Sequence, residues 1–178
     1  RRALVSIVIA VDDSIAAAPV TSWGGPGSRP DGAAMRALLL ESGLWTALRS
    51  RPYSRVASPD AQPAAIFVTA ADTRPHAVPP ALVIAERASD FHAGLAGLAA
   101  LAPTVFVCVG EGVRVDAPAG VQVVEFVGPH PSGNAGWHVH RLLPVSQHRS
   151  VWTIGYQDVI AIGRLLSSGE RDVQRVVS

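Results

Sequence analysis

Short, unbroken apolar runs alternating with helix-period stretches constrain this chain more than any other feature. Residues 64–69 (AAIFVT), 104–109 (TVFVCV) and 121–127 (VQVVEFV) are continuous rather than alternating in hydrophobicity, apart from Gln122 and Glu125. A strand covered on both faces reads this way, as in a parallel sheet sandwiched by helices. Between them lie helical patterns. One spans about 81–100, with Ile84, Phe91, Leu95 and Leu98 on one face. Another spans 156–168, with Val159, Ile160, Ile162 and Leu166 apolar and Gly169 as its stop. The order strand, helix, strand predicts an α/β fold: a three-layer, Rossmann-like, mainly parallel sheet.

The remaining segments fit around that frame. Asp31 is placed to cap a helix from about Gly32 that carries Met35, Leu38, Leu39 and Leu40 and meets Gly43. Leu44, Trp45 and Leu48 extend it by a second turn or helix, which Pro52 stops. Residues 133–143 predict a short helix and 150–154 a strand. Residues 3–11 (ALVSIVIAV) predict a leading strand or the remnant of a preceding barrel-sandwich domain. The domain scheme is therefore 1–12 for that strand, 13–32 for a linker rich in Ala, Pro, Gly and Ser, and 33–178 for the α/β domain. Trp23, inside the linker, is expected to pack onto the domain. A chain that starts and stops within apparent structure reads as excised from something longer.

Composition excludes several classes. With 48% hydrophobic and 16% charged residues over 178 positions, the chain is globular rather than disordered. The net charge is +1, and no Lys/Arg cluster is evident that would track one face, so nucleic acid is not an expected partner. The single cysteine, Cys108, cannot form an internal disulfide and falls inside an apolar run, as a buried strand residue does. Residues 93–110 carry no charge, but Pro103 divides them into a helix end and a strand, so no membrane span and no signal peptide are expected.

The generic cofactor motifs are missing: there is no G-x-G-x-x-G, no phosphate-loop G-x-x-x-x-G-K and no G-x-S-x-G. His138 and His140 would share a face on a strand but diverge on a helix. The glycine-rich approach favours helix or loop, and no third ligand is evident, so no metal is expected. Residues 128–136 (GPHPSGNAG) join a strand to a helix, where open α/β sheets bind ligands. His130, Ser132 and Gly133 there, with Asp72 beyond the strand at 64–69, form a possible ligand loop. The competing readings are a rigid turn and an Asp that caps residues 72–75. In residues 44–53, Trp45 and Tyr53 could stack a planar redox group. Arg49 and Arg51 could stabilise the negative charge a quinone carbonyl gains on reduction. The competing reading is a helix end with a core Trp and solvated arginines.

Longer strings carry more specific information. Residues 42–53 (SGLWTALRSRPY), 65–73 (AIFVTAADT), 128–133 (GPHPSG), 144–146 (PVS), 151–152 (VW), 156–163 (YQDVIAIG) and 174–178 (QRVVS) resemble, in order and spacing, the NqrA family. Its members belong to Na⁺-pumping NADH:quinone oxidoreductases. The resemblance implies a peripheral subunit on the cytoplasmic face of the bacterial inner membrane, with the other subunits of the complex as partners and ubiquinone as the complex's substrate. It implies a middle Rossmann-like domain between a biotinyl-lipoyl-like domain and a β-grasp domain, without covalently bound cofactors and contributing to quinone binding. A fragment of this kind is not expected to be active alone. Related flavin-binding subunits of respiratory complex I and of the Rnf complex follow Ser-Gly-Leu with a glycine-rich flavin loop. Here Ser42-Gly43-Leu44 continues to Tyr53 without a glycine, so no FMN is expected. Quinone-site candidates are Trp45, Arg49, Arg51 and Tyr53, with no catalytic residue assigned. A purely structural assembly module, or a free-standing nucleotide- or flavin-binding domain, are the alternatives. The chain departs from the family's usual pattern at Trp137, Arg141, Arg74 and Leu143.

Overall fold

A computed structural model describes residues 6–10 and 19–177. Eleven helices and strands plus one 3-10 turn follow in chain order. They are α1 (Gly32–Ser42), the 3-10 turn (Leu44–Ala47), β1 (Arg49–Arg51), β2 (Arg55–Val56), β3 (Ile66–Ala70), α2 (Pro80–Glu86), α3 (Ala88–Ala99), β4 (Val105–Val109), β5 (Val121–Glu125), α4 (Ala135–Leu142), β6 (Val151–Gly155) and α5 (Tyr156–Ser168). The sheet order is β2-β1-β6-β3-β4-β5. Strands β6, β3, β4 and β5 run parallel; β1 joins β6 antiparallel, and β2 joins β1.

The continuous apolar strands are explained by their two covered faces. Ile66, Val68, Val105, Val107, Trp152 and Ile154 face one core with α1, α3 and α5. Phe67, Cys108 and Val151 face a smaller core under α4. The mainly parallel, three-layer α/β architecture is the expected one. Its tightest joint is the crossing of α3 and α5. A Cβ on Gly94 would lie 2.0 Å from the Val159 carbonyl oxygen, and one on Gly163 would lie 1.7 Å from that of Asp90. Only glycine allows the helices this close.

The local signals for α1 and α5 hold. The Asp31 carboxylate accepts from the amides of Ala33 and Ala34, and Gly169 closes α5 in the left-handed region at φ 75°. Trp23 does pack onto the domain: its Nε1 donates to the Leu166 carbonyl oxygen (3.1 Å), and its ring lies against Gly169.

Three expectations are corrected. Residues 6–10 of the expected strand 3–11 have no strand pairing, and Ile7, Val8 and Ile9 are exposed; residues 3–5 and 11 lie outside the described residues. Among the described residues no strand or core receives residues 6–10, so nothing fixes their register. The single helix expected over 81–100 is two. Arg87 breaks it at φ −122°, ψ 34°, and its guanidinium bridges Asp90 (2.9 Å) and Asp172 (2.8 Å). Residues 49–56 form a hairpin rather than a helix end. Leu48 turns extended at ψ 117°. The hairpin is pinned by the Ala57 amide on the Leu48 carbonyl (3.0 Å) and by the Trp45 indole on the Ala57 carbonyl (2.7 Å). Among the described residues, no helix is long and apolar enough to cross a membrane.

Candidate functional site

The chain leaves β3 towards β4 and β5 on one side, and β6 sits on the other. The carboxyl ends of β3 and β6 therefore flank a topological switch point, where doubly wound sheets open a ligand crevice. A cavity of about 520 Å³ lies there. Its walls are Gly43 and, in the 3-10 turn it precedes, Leu44, Thr46 and Ala47, with Arg49 of β1, Thr69 of β3, Thr153, Ile154 and Gly155 of β6, Ala135, and Asp158 and Arg175. Its volume lies within the range of about 300–1,000 Å³ usual for small-molecule sites.

A phosphate would ordinarily sit at the start of the helix after such a strand. Here Asp158, in the first turn of α5, puts its carboxylate in that region, 3.4 Å from where a Gly155 Cβ would stand. Its Oδ1 accepts from Arg175 Nη2 at 3.0 Å. The helix terminus thus meets a negative charge of its own chain.

The four quinone-site candidates are not gathered in one place. Arg49 lines the crevice. Arg51, two residues along the same strand face, lines an adjoining groove with Trp137 and His140 and bonds the Ser54 hydroxyl. Tyr53 stands at the hairpin tip, 80% exposed, with the Arg55 guanidinium 6.0 Å from its ring. Trp45 is 3% exposed. It meets Trp152 edge-on (5.4 Å, 80°), and Arg36 stands 5.1 Å from its ring centroid. It anchors the turn rather than facing the crevice.

The residues of the possible ligand loop do come together, on one another. Thr73 Oγ1 bonds His130 Nδ1 (3.1 Å) and accepts from the Gly133 amide (3.2 Å). Any Cβ on Gly133 would stand 2.7 Å from the Thr73 nitrogen. Ser132 donates to the Gly128 carbonyl at 2.6 Å. Asp72 caps its own turn through the Arg74 amide (3.0 Å). The Arg74 guanidinium beside it, chiefly through hydrogen bonding, holds the carboxyl below the usual range. These contacts make the segment a rigid brace between β3 and α4. His138 is buried in α4 and His140 exposed, so the H-x-H pair diverges. Among the described residues, no group of three or more His, Cys, Asp or Glu could hold a metal ion. Sequence reasoning missed Thr46, Thr69, Thr153, Asp158 and Arg175 as crevice residues. The strings YQDVIAIG and QRVVS, which carry two of them, held the signal that could have found them.

Fold and site together define a doubly wound α/β domain whose switch-point crevice is lined by side chains instead of a glycine-rich phosphate loop. A family model described as the NqrA second alpha/beta domain matches residues 31–171, and the chain belongs to that family. It is 51% identical over 179 residues to a protein of Shewanella denitrificans named as the A subunit of a Na(+)-translocating NADH-quinone reductase, covering 99% of this chain and 40% of that protein. Proteins of the same name from Saccharophagus degradans (50% over 181 residues, 100% of this chain and 40% of that protein) and Pseudomonas aeruginosa (51% over 142 residues, 79% and 32%) are also similar. The chain spans about two-fifths of the length of the first two relatives.

Proposed function

We propose that this domain works within the NqrA-type subunit of a Na⁺-translocating NADH–quinone reductase, and that its switch-point crevice forms part of the quinone site. The observation that carries the reading is Arg49 in the 520 Å³ crevice beside Thr46, Thr69 and Thr153, with Leu44 and Ala47 as apolar wall. A quinone carbonyl gains negative charge on reduction, and a guanidinium beside it stabilises that charge. Trp45 positions the turn that brings Thr46 and Ala47 to this wall. Arg51 extends the positive surface beyond it, and Tyr53 stands at its outer margin. The partners are the other subunits of the complex, at the cytoplasmic face of the membrane, and ubiquinone is the substrate. The domain alone completes no reaction. FMN is not part of this reading: Ser42-Gly43-Leu44 continues to Tyr53 without a further glycine, and the Asp158 carboxylate at the start of α5 disfavours a phosphate there.

The test is the assembled complex carrying Arg49→Ala. The expected result is a raised quinone KM and altered sensitivity to quinone-site inhibitors, with NADH oxidation by an artificial acceptor unchanged. Normal quinone kinetics would overturn the reading. The burial of Trp45 favours a second reading, an assembly module without a ligand. That reading is supported if Arg49→Ala lowers the yield of complex while the complex that does form keeps normal quinone kinetics.

A further inference from the structure

Two stretches of the chain contain no carboxylate at all, residues 42–59 and 126–157, and the fold lays them against each other. Strand β1 pairs with β6, Arg51 opposite Val151. The Arg51 side chain then reaches α4: a Cβ on Gly136 would lie 2.9 Å from its Nη2. Between hairpin and helix runs a trough formed by cavities of about 490 and 250 Å³, which share Arg51, Gly136 and His140. Trp137, 43% exposed, lines one end and carries Arg141 at 5.8 Å from its ring centroid. Pro144 lines the other end, and its carbonyl accepts from Arg149 at 3.4 Å.

These arginines are distant in sequence: Arg51 lies on β1, Arg141 on α4 and Arg149 just ahead of β6, the strand that pairs with β1. Some arginines of the chain are neutralised by a carboxylate. Arg74, Arg87, Arg164 and Arg175 each hold a carboxylate. Among the described residues, Arg51, Arg141 and Arg149 hold none; they bond a hydroxyl, lie near an indole ring and bond a carbonyl, respectively. Arg51 lines the trough, Arg141 stands over its Trp137 and Arg149 bonds its Pro144, and guanidiniums along a concavity attract anions. An exposed Trp flanked by Arg is the composition of an interface anchor. The site is a concave trough between two elements, so it suits an extended chain better than a flat lipid surface.

We propose that this trough receives an acidic, extended polypeptide segment of a partner protein, its carboxylates on Arg51, Arg141 and Arg149 and an apolar side chain on Trp137. The trough adjoins the crevice at Arg49, both touching Ala135, and its proposed role does not rest on the quinone reading.

The test is fluorescence anisotropy of the 178-residue chain with a labelled peptide of alternating glutamate and leucine. The expected result is binding that weakens with salt. Arg141→Glu and Arg149→Glu, both exposed, should each reduce it roughly tenfold or more, and Trp137→Ala should also reduce it. Arg114→Glu, in the β4–β5 connection, should leave it unchanged. Melting curves establish that each variant is folded, and Arg141→Gln serves in place of a charge reversal that unfolds. Equal binding of the glutamine-for-glutamate peptide, or indifference to the reversals, overturns the proposal. So does Arg-dependent binding of phosphatidylserine vesicles without peptide binding, or an Arg-dependent dimer of the chain.

Discussion

His138 is fully buried, its ring 4.2 Å from that of Phe126, and its Nε2 lies 2.7 Å from the Ser132 carbonyl oxygen. A carbonyl only accepts, so Nε2 carries the proton and neutral Nδ1 is left without a partner. Burial pushes the imidazole below its ordinary 6.5, outweighing the opposing Ser132 bond. Between that depressed value and 6.5 the unfolded chain binds the extra proton and the folded chain does not. Stability is therefore full above 6.5 and declines as pH falls through this window. Urea midpoints across mildly acidic pH should show the decline in the native protein and a weaker one in His138→Gln, which keeps a donor for Ser132 but does not titrate. Cys108 titrates at the other end. Burial pushes its thiol from 9.0 up to about 12, so folded protein should resist iodoacetamide until denatured. Stability is therefore full below 9.0, where folded and unfolded chains both keep the thiol protonated, and declines as pH rises from 9.0 towards about 12. The position of Cys108 was legible from its apolar neighbours. The burial of His138 was not, because its partner is a backbone carbonyl six residues upstream.

At the scale of elements, sequence signals worked where they were local. Asp31, Gly169 and the apolar periodicity of 156–168 delimit α1 and α5 because capping and left-handed closure depend on adjacent residues. Gly169→Ala should cost about 1–2 kcal/mol in denaturant unfolding from its backbone angle alone, and more from the clash with Trp23. The break at Arg87 and the hairpin 49–56 were illegible because their causes are distant: Asp172 in the first case, β6 and Ala57 in the second. The same distance scatters the quinone candidates. Alternation on β1 puts Arg49 and Arg51 on one face, while Trp45 turns into the core under α1. Trp45→Ala should therefore cost about 3–5 kcal/mol of stability. Its effect on quinone kinetics would reflect a damaged turn, so Trp45→Phe, which keeps most of the packing, is the cleaner variant. If Trp45→Phe altered quinone affinity without changing stability, the assignment of Trp45 as an anchor would fail. The glycines at the α3–α5 crossing were equally silent in the sequence. Gly163→Ala should destabilise by about 3 kcal/mol or more, read from the denaturation midpoint.

At the scale of the molecule, the two edges of the sheet differ from its centre. The β4–β5 connection contains no helix, and β5 is largely open to solvent, whereas β3, β4 and β6 are enclosed. Amide exchange should be slowest in β3, β4 and β6 and markedly faster in β5 and the β1–β2 hairpin; uniform protection across the sheet would contradict this. The parallel class was legible from the continuous apolar runs. The position of β6 was not, since nothing local in 151–155 says which strands it separates. That position governs how the domain comes into being during synthesis. The hairpin and the β3-β4-β5 unit have no hydrogen-bonded strand between them until β6 is inserted, and β6 is made last of the six. Before residues 151–155 are made, the hairpin and the β3-β4-β5 unit are half-sheets with open flanks, and their joining waits on the last of the six strands.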